Sequence, residues 1–273
     1  MVISRNNNAI SGDILALVQQ RFKNITKIVN RTFWDLDSDD SHAYFVGSYG
    51  RGTAINTSDV DILIELPLTE KERVDNCKYN SQSYLLQIVK EKIVESYPRS
   101  DIKADGQVVI INFSDGIVFE IVPVFKKYNN WSGKYEFIYP DSNNGGRWQS
   151  TNPLAEQRAM DELDDYYQSN GLLKDTCKFL RYIRDEYFSS YSLSGILIDS
   201  FVYWAIGDWH FKRTSENDSS NSISYEEVLF NKYKGITYGN NCLRNIYAPG
   251  SGMSVDTKDW EILGKVLKKV AEK

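Results

Sequence analysis

Residues 45–66 read FVGSYGRGTAINTSDVDILIEL and contain the pattern that decides the fold. The second half of this stretch predicts a buried strand over residues 59–66, yet it carries two aspartates, Asp59 and Asp61, with one residue between them. Side chains alternate between the two faces of a strand, so both carboxylates are predicted on one face, opposite the apolar residues. Two like charges held side by side each raise the free-energy cost of ionising the other. A divalent metal ion between them is the simplest remedy, so this strand predicts a metal site.

A glycine-rich turn precedes that strand. The sequence predicts a first strand over residues 43–47, which enters the turn at Gly47 and Ser48. The backbone N–H groups of such a turn and the Ser48 hydroxyl are suited to facing an anion such as a phosphate. Because Asp59 and Asp61 follow closely in the chain, a phosphate held by the turn is expected close to the metal.

A third acid lies in the apolar run GIVFEIVPVF, residues 116–125. Glu120 is the lone charge in that run. Considered by itself, it is typical of a buried acid that is hydrogen-bonded or salt-bridged. Considered together with Asp59 and Asp61, it supplies the third carboxylate that a two-metal site needs.

The rest of the first half predicts further helices and strands. Apolar residues at helical spacing predict amphipathic helices over residues 11–33 and 81–96. The β-branched runs at residues 107–113 and 116–125 flank Ser114-Asp115-Gly116, a turn signal that predicts a β-hairpin.

From Thr151 onward the pattern is mainly helical. Helices are predicted for KDTCKFLRYIRDEY (174–187), SGILIDSFVYWAIGDWHF (194–211) and WEILGKVLKKVAEK (260–273). The stretch YPDSNNGGRWQSTNPL, residues 139–154, is rich in Gly, Asn and Pro and predicts a boundary loop. We therefore predict an α+β fold with a core domain over residues 1–150 and a helical lobe over residues 151–273.

Composition narrows the class of protein. The 273 residues include 41% hydrophobic and 25% charged side chains and carry a net charge of -5. An acidic chain is a poor candidate for binding long nucleic acid. The three cysteines form no CxxC pair, which favours a reduced, cytoplasmic setting. The first 20 residues do not show the pattern of a basic region followed by a continuous apolar run, and nowhere do 18 uncharged apolar residues occur in a row. We therefore expect neither secretion nor membrane spanning.

The order Gly47-Ser48, then Asp59-x-Asp61, then a single acid on a later strand resembles the polymerase-β-like nucleotidyltransferase superfamily. More specific features are the Glu120-Ile121-Val122-Pro123 segment, the GRWQSTNP loop, and a helical KFLRY segment that precedes Ser190-Tyr191. Together they resemble the cGAS/DncV-like (CD-NTase, SMODS-type) nucleotidyltransferases, over roughly residues 10–210. The implied fold is the mixed-sheet core of that superfamily, packed on a C-terminal helical lobe that closes the nucleotide cleft.

The resemblance implies roles for the residues of the core. Asp59, Asp61 and Glu120 are expected to bind two Mg²⁺ ions, with Mn²⁺ as an alternative. Glu120 is expected to act as metal ligand and base for the attacking ribose hydroxyl. It replaces the commoner aspartate and is one methylene longer. Gly47 and Ser48 are expected to hold the β and γ phosphates.

The resemblance also implies roles in the helical lobe. Ser190 and a basic residue of the preceding helix are expected to grip the triphosphate. That basic residue is usually a lysine in the family, whereas here the aligned position is Arg181 and Lys178 lies one turn earlier, so both remain candidates. Tyr191 is expected to stack on a base.

The implied activity is metal-dependent synthesis of a cyclic di- or trinucleotide second messenger from nucleoside triphosphates, with ATP among them and with release of pyrophosphate. Such a product serves anti-phage signalling of the CBASS type by activating a separate effector protein. One alternative is an antibiotic or protein nucleotidyltransferase that moves a single nucleoside monophosphate. A second alternative is a catalytically inactive nucleotide-binding module, against which the presence of all three acids argues.

Overall fold

The computed structural model describes residues 1–77, 80–130, 133–214, 223–238 and 245–272. The chain divides into two compact units. The sheet unit consists of Ser11–Gly50 and Ser58–Pro153, and the helical unit consists of Met1–Ile10, Arg51–Thr57 and Leu154–Lys273. Two short segments from the first 57 residues therefore belong with the later helices. The predicted division into a core domain over residues 1–150 and a helical lobe over residues 151–273 stays a prediction.

The sheet unit is built on strands β1 (Ala43–Phe45), β2 (Val60–Glu65), β3 (Asp101–Asp105), β4 (Val108–Asn112), β5 (Val118–Asn129), β6 (Lys134–Asp141) and β7 (Arg147–Thr151). Five of them follow the order β1-β2-β5-β4-β3, while β6 pairs with β5 and β7. The β2–β5 pair is parallel, and the other pairs are antiparallel. The parallel pairing is important for the site because it places the first residues of β2 beside the part of β5 that contains Glu120.

The helices of this unit are α1 (Gly12–Phe33), α2 (Gly47–Gly50), α3 (Leu68–Asp75) and α4 (Ser81–Ser96). Apolar side chains of α1 and α4, including Ile25 and Leu85, form one buried cluster with Ile62 and Phe119 of the sheet. The structure confirms the helices predicted for residues 11–33 and 81–96, the two strands around the glycine-rich turn, and the β4–β5 hairpin.

The predicted boundary loop at residues 139–154 is wrong in part, because it contains strand β7 and the end of β6. The chain reverses at Asn144, Gly145 and Gly146, which all have positive φ. The buried carboxylate of Asp141 then accepts hydrogen bonds from Arg147 and from other groups of the hairpin. The Gly and Asn residues that suggested a loop therefore form a tight turn between paired strands.

The helical unit contains α5 (Pro153–Asp164), α6 (Leu172–Tyr187), α7 (Gly195–Ala205), α8 (Tyr225–Tyr238) and α9 (Trp260–Ala271), with Pro153 itself at the boundary. Its core includes Cys177 and Leu180 of α6, Leu197 of α7 and Leu263 of α9, all fully buried. Cys242 lies outside the described residues. The predicted helices at residues 174–187 and 260–273 are confirmed within the described ranges, as is the α+β class.

The helix predicted over residues 194–211 is too long, because α7 ends at Ala205. Gly207 has a φ of 58°, a left-handed conformation that a helix cannot include. Among the described helices, none combines the length and the apolar character that a membrane span requires.

Candidate active site

The turn after β1 is fixed against the acid-bearing strand β2. The Val46 N–H donates to the Asp61 carbonyl oxygen at 2.9 Å, and the Gly50 N–H donates to the Val46 carbonyl oxygen at 2.9 Å. Gly47 has a φ of 57°, and a Cβ atom at this position would lie 1.8 Å from Asp61 Oδ2. Only glycine allows both this conformation and this approach to the carboxylate. Ser48, next in the chain, is buried.

The predicted acids meet at the start of β2. Asp59 lies one residue before the strand, and the parallel register pairs Asp61 with Glu120 of β5. Register partners on neighbouring strands project from the same face of a sheet. Two of the three acids are thus brought side by side by strand pairing, and the third directly precedes its strand.

Electrostatic effects show that Asp59 acts on its neighbours. Burial raises the pKa of the Glu120 carboxyl above its ordinary value, and the Asp59 charge raises it further. The pKa of the Tyr49 hydroxyl, in α2, is raised for the same two reasons. Burial has the larger effect and the Asp59 charge the smaller one. Glu120 therefore lies where the negative charge of Asp59 opposes its ionisation.

The donor set of this cluster suits a hard divalent cation, since Mg²⁺ prefers carboxylate oxygens. The mutual repulsion of the acids is also what a bound cation would relieve. Across the described ranges, however, no three His, Cys, Asp or Glu side chains converge closely enough to hold an ion as they stand. The chemistry of the residues fits the metal, and their carboxylates would have to turn toward a common point.

The two basic candidates of α6 have different surroundings. Arg181 is 4% exposed, and its Nη2 donates to Asp199 Oδ2 at 2.7 Å, to the Gly195 carbonyl oxygen at 3.1 Å and to Thr53 Oγ1 at 3.3 Å. Lys178 Nζ lies 3.3 Å from Asp175 Oδ1. The guanidinium of Arg181 is therefore directed into the interior of the helical unit.

Ser190 and Tyr191 lie in an exposed turn after α6. The Tyr191 N–H donates to the Phe188 carbonyl oxygen at 2.9 Å, and Lys265 Nζ lies 4.8 Å from the centroid of the Tyr191 ring. The aromatic ring predicted to stack on a base thus already contacts a cation. All four candidates of this lobe belong to the helical unit, whereas the three acids, Gly47 and Ser48 belong to the sheet unit.

The helical unit also contains a buried polar cluster that was not predicted from the sequence. Asp199 of α7 is fully buried and accepts hydrogen bonds from Arg51 and Thr53 as well as from Arg181. The signal that marked Glu120, a single charge within an apolar run, was also present here, in GILIDSFVYWA. Tyr49, which lies within reach of the Asp59 charge, was missed as well and had no comparable signal.

Comparison with known proteins identifies the family. The model of the Second Messenger Oligonucleotide or Dinucleotide Synthetase domain matches residues 5–164. A Bacillus cereus (strain VD146) protein named "Probable cyclic nucleotide synthase" is 29% identical over an alignment of 118 residues that covers 41% of this chain. The matched stretch is 35% of the length of that relative, so the chain is compared with only about a third of it.

Solved structures share the fold. The cyclic dinucleotide synthase CdnE of Elizabethkingia meningoseptica matches with a TM-score of 0.63 and 14% identity, over 92% of this chain and 89% of that one. The c-di-GMP synthase CdnE of Capnocytophaga granulosa matches with a TM-score of 0.67 and 15% identity, over 95% and 80% of the two chains. The CD-NTase CdnG of Bradyrhizobium diazoefficiens matches with a TM-score of 0.61 and 13% identity, over 97% of this chain and 86% of that one.

These structural likenesses show the fold, and the family model covers more than half of the 273 residues, including the turn and all three acids. The chain therefore belongs to the Second Messenger Oligonucleotide or Dinucleotide Synthetase domain family.

Proposed function

We propose that this protein is a metal-dependent nucleotidyltransferase that joins nucleoside triphosphates into a cyclic di- or trinucleotide and releases pyrophosphate. The observation that carries the proposal is the register of β2 and β5, which pairs Asp61 with Glu120 beside the Gly47 turn in a chain of this family. The relatives support the product class, because two of the three proteins in the structures above are named as a cyclic dinucleotide synthase and a c-di-GMP synthase.

In this proposal each residue of the sheet unit has one task. Gly47 and Ser48 bind the β and γ phosphates through backbone N–H groups and the hydroxyl. Asp59, Asp61 and Glu120 would hold two Mg²⁺ ions, or Mn²⁺. When bound, the ions supply charge stabilisation for the transferred phosphoryl group and lower the pKa of the attacking hydroxyl. Glu120 accepts the proton of the ribose hydroxyl at its carboxylate.

In the helical unit we propose that Lys178, with Ser190, contacts the triphosphate, and that Tyr191 stacks on a base. The contacts of Arg181 favour this choice, because its donors are directed to Asp199, Gly195 and Thr53. Lys178→Met should then raise KM for the triphosphate by about tenfold or more, as expected for the loss of a charged hydrogen bond. An unchanged KM for Lys178→Met would return the role to Arg181.

The substrates are proposed to be nucleoside triphosphates, with ATP among them. The Elizabethkingia enzyme was solved with GTP and Apcpp, and CdnC of E. coli MS115-1 with ATP. We further propose cytoplasmic anti-phage signalling of the CBASS type, in which the product activates a separate effector protein. The acidic balance of the chain supports small nucleotides over long nucleic acid as substrate.

Incubation with Mg²⁺ or Mn²⁺ and each labelled triphosphate, alone and in pairs, tests the proposal, with products identified by mass spectrometry. We expect a cyclic product and pyrophosphate from the wild type. Neither is expected from the double variant Asp59→Asn, Asp61→Asn. The matched control is Asp37→Asn, Asp39→Asn, an exposed pair with the same spacing in the same unit and the same change in charge.

Two outcomes would favour the alternatives. Pyrophosphate release with transfer of a single monophosphate onto a small hydroxyl compound or a protein indicates an antibiotic or protein nucleotidyltransferase. Binding of triphosphate without pyrophosphate release from any substrate indicates an inactive module. Product formation by the Asp59, Asp61 double variant at the wild-type rate would contradict the metal assignment.

A further inference from the structure

The segment Arg51–Thr57 belongs to the helical unit, although it joins two elements of the sheet unit. It follows Gly50, the last residue of the α2 turn, and it ends two residues before Asp59. The segment is largely buried: Thr53 is fully inaccessible, and Ala54 and Ile55 are at most 5% exposed. The chain therefore passes from the glycine-rich turn Gly47–Gly50, here called the phosphate turn, into the core of the helical unit, and then returns to Asp59.

Asp199 of α7 is the main polar contact of this segment. Its Oδ2 accepts hydrogen bonds from Arg51 Nε at 2.9 Å, from Thr53 Oγ1 at 2.9 Å and from Arg181 Nη2 at 2.7 Å. Three donors on one fully buried carboxylate oxygen hold two residues of the segment and one residue of α6.

The segment is also attached near both of its ends. Arg51 Nη1 donates to Glu156 Oε2 at 3.0 Å, and Glu156 in turn accepts from the Ser251 hydroxyl. At the other end, Thr57 Oγ1 donates to Asp185 Oδ2 at 2.5 Å. Both ends of the segment are thus tied to helices of the helical unit, one in the interior and one at the surface.

The interior cluster is balanced in charge, with Arg51 and Arg181 opposite Asp199 and Glu156. Although burial opposes ionisation, the charges of Arg181 and Arg51 and the hydrogen bonds from Arg51 and Thr53 lower the pKa of the Asp199 carboxyl. Buried ion pairs are weak sources of stability compared with apolar packing of equal volume, and their best-attested use is to specify one conformation. We therefore expect the main effect of this cluster to be on the conformation of the segment Arg51–Thr57, and less on overall stability.

We propose that Asp199 is a positioning residue for the nucleotidyl transfer: it holds the segment Arg51–Thr57 so that the phosphate turn and the first metal-binding acid, at the two ends of the segment, keep fixed places. This role rests on the proposed function. Asp199 itself touches neither substrate nor metal. It acts through Arg51 and Thr53, and the segment is connected to Gly50 at one end and through Ser58 to Asp59 at the other.

Thr53→Val tests the role with little disturbance, because it keeps the shape and all four charges but removes the hydroxyl that donates to Asp199. We expect kcat to fall by about tenfold, since small misplacements at a reacting centre cost one to two orders of magnitude. KM for the triphosphate should change less than kcat. Thr53→Ser, which restores the hydroxyl, should recover kcat to within about twofold.

The matched control is Thr176→Val. Thr176 is equally buried in the same unit, and its hydroxyl donates to the Leu172 carbonyl oxygen, away from the segment. Thr176 Oγ1 also lies 3.2 Å from the Tyr225 hydroxyl, so each threonine hydroxyl has two hydrogen-bond partners. The Thr176→Val change should therefore lower the melting temperature about as much as Thr53→Val does. It should leave kcat unchanged. Hydrogen exchange of peptides covering residues 45–60 should increase in Thr53→Val and not in Thr176→Val.

Wild-type kcat in Thr53→Val, or an equal loss of kcat in both valine variants, would overturn the positioning role while leaving the proposed function intact. Absence of synthesis by the wild type would overturn the proposed function and the positioning role with it. If Thr53→Val does not fold, Arg51→Lys is measured in its place. It keeps the buried charge but cannot bridge Asp199 and Glu156 as the guanidinium does, and we expect the same loss of kcat.

Discussion

At the scale of single residues, Gly47 lies so close to Asp61 that its lack of a side chain determines where the carboxylate can stand. Gly47→Ala would place Cβ 1.8 Å from Asp61 Oδ2 and would force a positive φ on a residue with a side chain. We expect a loss of about 1–2 kcal/mol of stability from the backbone alone. Because Asp61 must also move, synthesis should fall by on the order of a hundredfold.

Gly116→Ala is the control for that backbone effect. Gly116 also has a positive φ, in the β4–β5 hairpin turn, but nothing lies within 4 Å of its added Cβ. Chemical denaturation and a product assay on both variants separate the two effects. Equal activity in the two variants would mean that the position of Asp61 is not important for turnover.

Glu120→Gln is expected to change stability and catalysis in opposite directions. The folded-state pKa of Glu120 is raised, so its neutral form favours folding at low pH, and this contribution is lost as pH rises through the raised pKa. Without metal, the variant should therefore be more stable than the wild type at neutral pH, with the difference vanishing in acid. Its kcat should fall by on the order of 10² or more, and its affinity for Mg²⁺-triphosphate should change far less.

Thermal unfolding between about pH 4 and pH 8 without metal measures the first effect. Calorimetry with a non-hydrolysable triphosphate, beside a product assay, measures the second. Loss of stability, binding and activity together would mean that Glu120 supports the fold. Retention of both binding and activity would place the third acid elsewhere, with Asp115 and Asp105 as the next residues to test.

At the scale of elements, two helical glycines separate packing from helix propensity. Gly264 of α9 packs against Tyr233 of α8, and a Cβ there would lie 2.3 Å from the ring. Gly264→Ala should cost about 1–3 kcal/mol, as for other overpacked cores, partly offset by the better helix propensity of alanine. Gly235→Ala, on α8 with no atom within 4 Å of the new Cβ, should be neutral or stabilising by up to about 1 kcal/mol.

Urea denaturation of the two variants gives the comparison directly. Both variants replace a glycine by alanine in a helix of the same unit. An equal change in their free energies of unfolding would therefore reflect helix propensity alone. If Gly264→Ala were as stable as Gly235→Ala, the close approach of α8 and α9 would not be a packing constraint.

At the scale of the whole molecule, ligand binding should stabilise the fold through the acids. A ligand that binds only the folded state at a hundred times its Kd adds about 2.7 kcal/mol. Mg²⁺ with a non-hydrolysable triphosphate should therefore raise the melting temperature of the wild type. The effect should be mostly lost in Asp59→Asn, Asp61→Asn and retained in Asp37→Asn, Asp39→Asn. Equal stabilisation of the two double variants would place the metal and nucleotide elsewhere.

Local patterns in the sequence were enough to predict most of the helices and strands and the candidate acids. Alternation and apolar runs predicted β2 and β5, helical spacing predicted α1, α4, α6 and α9, and the turn signal predicted the β4–β5 hairpin. The aspartate pair before and in β2 and the lone charge in β5 predicted the three acids. The order of motifs predicted the family, which the match over residues 5–164 confirms. The roles of the site residues stay predictions.

Which of these elements and side chains contact each other is set by tertiary contacts that local patterns do not show. Asp61 pairs with Glu120 through the register of two strands that are far apart in the chain. The periodicity of a sequence indicates which face of a strand is buried, but it does not indicate which other strand pairs with it. The same limit hid β7, whose partner lies across a turn that resembles a loop. It also hid the partners of Asp199, which are Arg181 and two residues of the segment Arg51–Thr57. A buried charge must find its partners wherever the fold brings them, and no local pattern carries that information.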